Sequence, residues 1–248
     1  MDKAVYIAMT GGKHIARAQA LSANNMANAN TTGFRADFQQ ARSMAVYYGD
    51  GAPSRAYALT ENPGTDFTYG TIAETGRKLD VAINGPGWIA VQTASGREGY
   101  TRAGSLQVNA QGQLQTATGQ MVLGDKGPIT LPPFDNVQIG ADGTISVQEQ
   151  GQAPNGLSQV GRIKLVNPAN QRLEKGEDGM MYQREGQQPL PADANVQLQV
   201  GFIEGSNVNM VDEFTNVMSL ARQFDLQIKL MRTAEDNSAA STKLLQVS

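Results

Sequence analysis

No glycine or proline occurs after Gly205. These residues interrupt helices most strongly, so the end of the chain has room for one helix well beyond the usual length of about 10–14 residues. Its apolar residues support that reading. Val217, Leu220, Phe224, Met231, Ala234 and Leu245 follow a heptad seam, with Gln227, Ser238 and Ser241 as its polar members. Val211, Phe214, Met218, Ala221 and Ile228 form a second apolar stripe. Asn209 is an N-cap residue, and Asp212 and Glu213 suit the positive end of the helix dipole. Asp225 and Lys229 stand at i,i+4 in the better orientation. A helix from 210 to about 246 would be roughly 55 Å long at 1.5 Å per residue. Two stripes on one helix mean two surfaces to bury, which favours an assembly over a single packed core.

The other end of the chain also reads as a helix, from residue 3 to about 29. Val5, Ala8, Gly12, Ile15, Gln19, Ser22 and Met26 recur at 3-4 spacing, behind Asp2 as N-cap. Small and polar residues fill much of this stripe, so the helix needs a partner surface. Asn24, Asn25, Asn28, Asn30, Thr31, Thr32 and Gly33 then follow closely. Asn and Thr compete for backbone hydrogen bonds, and Gly33 is free to take positive φ. The stretch predicts the end of the helix and an extended chain from Phe34. Residues 34–78 carry Gly49, Gly51, Pro53, Pro63, Gly64, Gly70 and Gly76. They read as a long arm ordered against something else, with short extended pieces at 56–59 and 67–69.

Between the two helical ends the apolar period is two. Leu79, Val81 and Ile83 alternate with Asp80 and Ala82 before an Asn84-Gly85 turn. Strands are expected at 88–91, 106–108, 113–115, 121–123, 129–131, 137–139, 144–147, 163–166, 180–182 and 196–202, separated by turn residues. Strands this short and this evenly spaced argue for a sandwich or barrel-like β body. The fold class is therefore α+β: long, coiled-coil-like N- and C-terminal helices, paired, flanking a central antiparallel β-rich domain. The expected domains are 1–33, an N-terminal helix; 34–78, a linker arm; 79–206, the β-rich body; and 207–248, the C-terminal helix.

Chemistry is sparse. The chain has no cysteine and one histidine, His14, which removes disulfides, thiol catalysis and Cys/His zinc sites. Asp135, Asp142, Glu177 and Asp178 sit in glycine turns, and no DxDxDG loop occurs. Gly85-Pro86-Gly87 is followed by strand residues where a dinucleotide fingerprint needs a helix. P-loop and G-x-S-x-G motifs are missing. The net charge is −3, with 20 basic and 23 acidic side chains and no basic field suited to nucleic acid. The first 48 residues are mildly positive, with five basic and two acidic groups. Lys13, His14 and Arg17 break the short apolar run near the N-terminus, so a cleaved signal peptide is not expected. Nothing approaches the roughly 20 apolar residues of a membrane span. The reading from the residues is a non-enzymatic chain without cofactor, metal or small-molecule substrate, whose two-striped helix favours an assembly. Its rivals are an extracytoplasmic β-domain hydrolase, which needs a clustered acid/base pair, and a ligand-binding module, which needs an enclosed apolar cavity.

Three separated blocks resemble the bacterial flagellar rod and hook proteins. The first is Asn24-Asn25-Met26-Ala27-Asn28 followed by Thr32-Gly33-Phe34-Arg35. The second runs from Asp80 to Gly124 and includes Asp80, Gly85, Gly87, Trp88, Tyr100, Thr101, Arg102 and Gly104. The third is Glu204-Gly205-Ser206-Asn207-Val208, leading into the last helix. Within the family the opening residues, the Gly33 to Phe38 run and residues 221–227 look most like proximal rod members, with distal rod members the nearest alternative.

The resemblance implies a subunit of the rod that crosses the periplasm, stacked helically to carry torque from the motor to the hook. Its implied partners are other rod proteins, further copies of itself and the gate of the type III export apparatus. It makes Asn24, Asn25, Met26, Asn28, Thr32 and Gly33 joint and subunit contacts. Val217, Leu220, Phe224, Ile228, Met231 and Leu245 become helix-packing positions. Phe34 and Phe38 match the short export motif of early flagellar substrates, and seating of the arm in the rod stands as the other role for the same two rings.

Overall fold

A computed structural model describes residues 3–39, 41–46, 55–60, 64–151, 156–169, 172–184 and 188–246. Asp2, the expected N-cap, and the side chain of Leu245 lie outside the described set, as do the side chains of the extended piece at 56–59. The fold is α+β: a helix α1 (Lys3–Ala27), a β-rich middle, and a helix α2 (Met210–Gln246). The chain divides into two compact units. One comprises residues 1–28, 36–66 and 208–248, the other 29–35 and 67–207.

In the first unit α1 and α2 lie antiparallel. Asn25 meets Glu213, Ser22 meets Asn216, and Gly12 faces Phe224 and Gln227. The start of α2 follows its sequence. Asn209 Oδ1 accepts the Val211 N–H at 3.1 Å, and Asn209 Nδ2 donates to Asp212 Oδ2 at 2.7 Å, satisfying donors that a helix start leaves open. The hairpin Ala41–Val46/Arg55–Thr60 and the pair Asp37–Phe38/Gly64–Thr65 complete this unit.

The second unit is built on an antiparallel sheet. Its strands lie in the spatial order Leu173–Lys175, Met181–Gln183, Glu98–Thr101, Trp88–Gln92, Met121–Gly124, Leu114–Thr116 and Leu106–Val108. A three-stranded sheet (Phe134–Ile139, Thr144–Glu149, Leu157–Arg162) and the pair Val81–Asn84/Gln197–Val200 enclose the core with it. Trp88–Gln92 is buried on both faces. Ile89 and Val91 join a main cluster with Val81, Leu106, Leu114, Val122, Ile145 and Val147, while Trp88 and Ala90 join Tyr100, Val166, Leu173 and Met181. A strand buried on both faces loses the alternation that marks a half-exposed one.

Several strands depart from expectation. Residues 129–131 supply only an isolated bridge at Thr130, 163–166 give an isolated bridge at Ile163 and the short strand Leu165–Val166, and 67–69 is irregular. The expected strand 196–202 is split at Gly201, whose φ of 82° takes it out of the ladder. Phe202–Glu204 then turns to pair with Ile72–Glu74. Glu98–Thr101 and Leu157–Arg162 were not legible, because glycine and polar residues hide their period.

Candidate assembly surface and joint

The helical unit has little core of its own. Among the described residues its only buried apolar side chain is Ala8, whereas the β-rich unit buries the rest. The seam of α2 is partly covered: Val217, Leu220, Phe224, Gln227, Met231, Ala234 and Ser238 are half-buried and Ser241 is exposed, while of the second stripe only Ala221 and Ile228 are half-buried. The pair is closest at Gly11, where a Cβ would stand 3.3 Å from the Gln227 side chain, while one on Gly12 would make only an ordinary contact with the Phe224 ring at 3.8 Å. Off the seam, large apolar groups face solvent. Val211 is 70% exposed, Phe214 54%, Leu226 57%, Leu230 57% and, on α1, Tyr6 60%. So many large exposed apolar side chains on one unit point to an interaction surface.

Asn25 fixes the entry of the arm. It is buried; its Oδ1 accepts the Asp37 N–H at 3.0 Å, and its Nδ2 donates to the Asp37 carbonyl at 2.8 Å and to Glu213 Oε1 at 2.7 Å. One side-chain amide thus acts as a strand partner for Asp37 and ties it to both helices. Asn24 is exposed, and its carbonyl accepts the backbone N–H of Asn28 at 3.1 Å and its side-chain amide at 2.9 Å. Met26 and Thr32 are half-buried. Phe38, 43% exposed, lies over Gly64 and walls a hollow of about 390 Å³ with His14, Leu21, Glu213 and Leu220.

Gly33 has a different job from the one its position suggested. The helix ends at Ala27, six residues earlier. Gly33 has φ 68°, and a Cβ on it would lie 2.3 Å from the Ala103 nitrogen and from the Arg102 carbonyl carbon. Its hydrogen side allows two backbones to touch. Phe34, in the same unit as Gly33, is half-buried beneath the Lys175 ammonium, 3.9 Å from the ring centroid. Lys175 also donates to the Arg35 carbonyl at 2.7 Å.

Beside Gly33 lies a buried charge cluster. Arg35 donates to Glu204 Oε1 at 2.5 Å, with both side chains almost wholly buried. Arg102 Nε approaches Glu204 Oε2 to 3.0 Å without the alignment of a hydrogen bond, and Arg102 donates to the Gly85 carbonyl at 2.5 Å. Burial pushes the Arg102 pKa down, Glu204 pushes it up, and Arg35 pushes it down again. Both guanidiniums lie near Trp88, with carbon-to-centroid distances of 6.0 Å for Arg35 and 5.9 Å for Arg102, and Arg102 also sits 4.5 Å over Tyr69. The three sequence blocks thus meet here through Gly33 and Arg35, Arg102, and Glu204. Glu204 was not singled out as a site residue. Its signal was a carboxylate closing an otherwise apolar strand.

The remaining signature residues support the cluster. Asp80 is buried and bridges to Ser105. Gly85 and Gly87 turn the chain into Trp88 with positive φ. The Thr101 hydroxyl accepts the Ala103 N–H at 3.0 Å. A Cβ on Gly104 would strike the Val81 carbonyl. The buried Tyr100 hydroxyl accepts the Leu190 N–H at 3.2 Å, and burial raises its pKa to about 12. Among the described residues no group of three or more His, Asp or Glu could hold a metal, and no helix is long and apolar enough to cross a membrane.

Comparison with known proteins brings these features together. Residues 6–35 match the flagella basal body rod protein family, 82–147 the flagellar hook protein FlgE/F/G D1 domain, and 199–244 the flagellar basal body rod FlgEFG protein C-terminal family. The chain is 40% identical to the flagellar basal-body rod protein FlgF of Escherichia coli K12 and 39% to that of Salmonella typhimurium LT2, over the full length of each. It is 32% identical to FlgG of Bacillus subtilis 168, over 95% of this chain and 96% of that one.

Proposed function

Because the chain belongs to the flagellar basal-body rod protein family and is a structural subunit of that rod, we propose that α1 and α2 form its inner, coiled-coil-like layer and carry torque by close packing. The β-rich unit faces outward. The subunit sits in the proximal part of the rod, reading with the FlgF relatives rather than the FlgG ones. Its partners are other rod proteins and neighbouring copies of itself. It leaves the cytoplasm through the type III export gate, where Phe34 and Phe38 are read before the chain folds. Asn24, Asn25, Met26, Asn28, Thr32 and Gly33 form the joint between inner helix and arm. No step in this role requires catalysis.

The observation that carries the reading is the imbalance of apolar surface. A unit whose only buried apolar side chain among the described residues is Ala8, and which leaves Tyr6, Val211, Phe214, Leu226 and Leu230 in solvent, gains its stability from neighbours. The test is Phe214→Glu in a cell lacking its own copy of the protein. Phe214 is 54% exposed in the single chain, so the purified variant should keep its stability within about 0.5 kcal/mol. Swimming should be abolished while the protein is still secreted. Wild-type motility in that strain would overturn the assembly role of this face.

A further inference from the structure

We propose that Glu204 ties the chain crossings between the two units into a single joint, so that the segments yield together rather than one by one. The chain passes between the units four times, at 28/29, 35/36, 66/67 and 207/208. Within the β-rich unit three stretches carry all four crossings: 29–35, the one beginning at Phe67, and the one ending at Asn207. Glu204 holds each of them. Its carbonyl accepts the Gly33 N–H at 2.8 Å, and its Oε1 accepts from Arg35 at 2.5 Å and from the Gly70 N–H at 3.0 Å. Through Oε2 it meets Arg102, which is anchored to Gly85 in the body of the unit.

Neighbouring bonds run between the same stretches. The Gly205 N–H donates to the Thr71 carbonyl at 2.8 Å, the Asn207 N–H to the Phe34 carbonyl at 3.4 Å, and the Asn207 side-chain amide to the Thr68 carbonyl at 3.2 Å. None of these is strong alone, and each joins stretches that the buried Glu204 also holds. Two guanidiniums share that carboxylate. Removing it leaves both buried without a counter-ion, a state that proteins relieve by opening. Arg35 is the one of the two that sits on a crossing segment, so its escape to water would carry 29–35 with it.

The proposal rests on contacts inside one unit and stands apart from the assembly reading. Its test is amide hydrogen exchange on the full-length chain carrying Glu204→Ala. The amides of Gly33, Gly70, Gly205 and Asn207 should exchange faster as a group, on the order of 100-fold, as expected for breaking a buried ion pair. Amides of the central strand Trp88–Gln92 should keep their wild-type rates. Acceleration at Gly70 alone would overturn the joint, and equal acceleration of the central strand would make Glu204 an ordinary core residue. If the alanine variant is recovered unfolded, Glu204→Gln keeps the shape and one acceptor while removing the charge. The same group of amides should then accelerate about 10-fold, and unchanged rates in the glutamine variant would overturn the role assigned to the carboxylate charge.

Discussion

Two glycines of the β-rich unit share almost the same backbone conformation and differ in what surrounds them. Gly33 has φ 68° and Gly76 has φ 69°. A Cβ on Gly76 would meet nothing within 4 Å, whereas one on Gly33 would lie 2.3 Å from two backbone atoms of Arg102 and Ala103. Alanine at either position pays about 1–2 kcal/mol for the left-handed conformation. It recovers about 0.4–1 kcal/mol because the unfolded chain becomes less free. Gly76→Ala should therefore cost about 1.6 kcal/mol at most. At Gly33 the collision must be relieved by moving backbone, which adds about 1–3 kcal/mol and strains the Gly33 N–H bond to Glu204. Urea denaturation followed by fluorescence of Trp88, the chain's one tryptophan, reads both variants, because the ring stands 6.0 Å from Arg35. Two variants that agree within about 0.5 kcal/mol would refute the close approach of the Gly33 and Arg102 backbones.

Tyr100→Phe should change the alkaline limb of stability. Burial holds the Tyr100 pKa at about 12, against about 10 in the unfolded chain, so the hydroxyl contributes stability below pH 10 that is lost as pH rises toward 12. At pH 7 the variant should be about 1 kcal/mol less stable for want of the Leu190 bond. Urea titrations toward pH 12 should then show wild type losing about 2–3 kcal/mol that the variant keeps, and parallel pH profiles would refute the shift. Phe34→Ala should lower secretion of the full chain into the medium while Trp88 fluorescence still reports a folded β-rich unit; normal secretion would remove Phe34 from the export step.

Periodicity and end signals made the helices legible. The 3-4 seam from Val217 to Ser238 is the half-buried face of α2, and Asn209 caps it as its residue type requires. The β body was legible wherever a strand buries one face or ends at a turn glycine. It was obscured where partners far along the chain decide the outcome. Glu98–Thr101 is held between Trp88–Gln92 and Met181–Gln183 despite its glycine. The site was legible as three motifs but not as one place. Nothing local in Gly33, Arg102 and Glu204 states that they touch, since their contacts span up to 171 residues of chain between Gly33 and Glu204. Local spacing also assigned Gly33 to the helix end, whereas the tertiary approach of Arg102 sets its conformation.

The division of labour between the helices and their surroundings follows from the same residues. Polar pairs such as Ser22–Asn216, at 3.0 Å, and Asn25–Glu213, at 2.7 Å, fix the register of α1 against α2. They contribute little net energy, about 1 kcal/mol each. A partly buried polar pair instead disfavours other registers, as a polar core position does in a coiled coil. The energy lies on the opposite surface. Val211, Phe214, Leu226 and Leu230 are more than half exposed, and covering the remainder of each would yield about 1 kcal/mol. Several such residues per subunit, repeated along a stack, can exceed what α1 and α2 supply to each other, even after the costs of association. On the assembly role proposed above, helices built in this way would hold their alignment as single chains and gain rigidity where neighbours cover this surface.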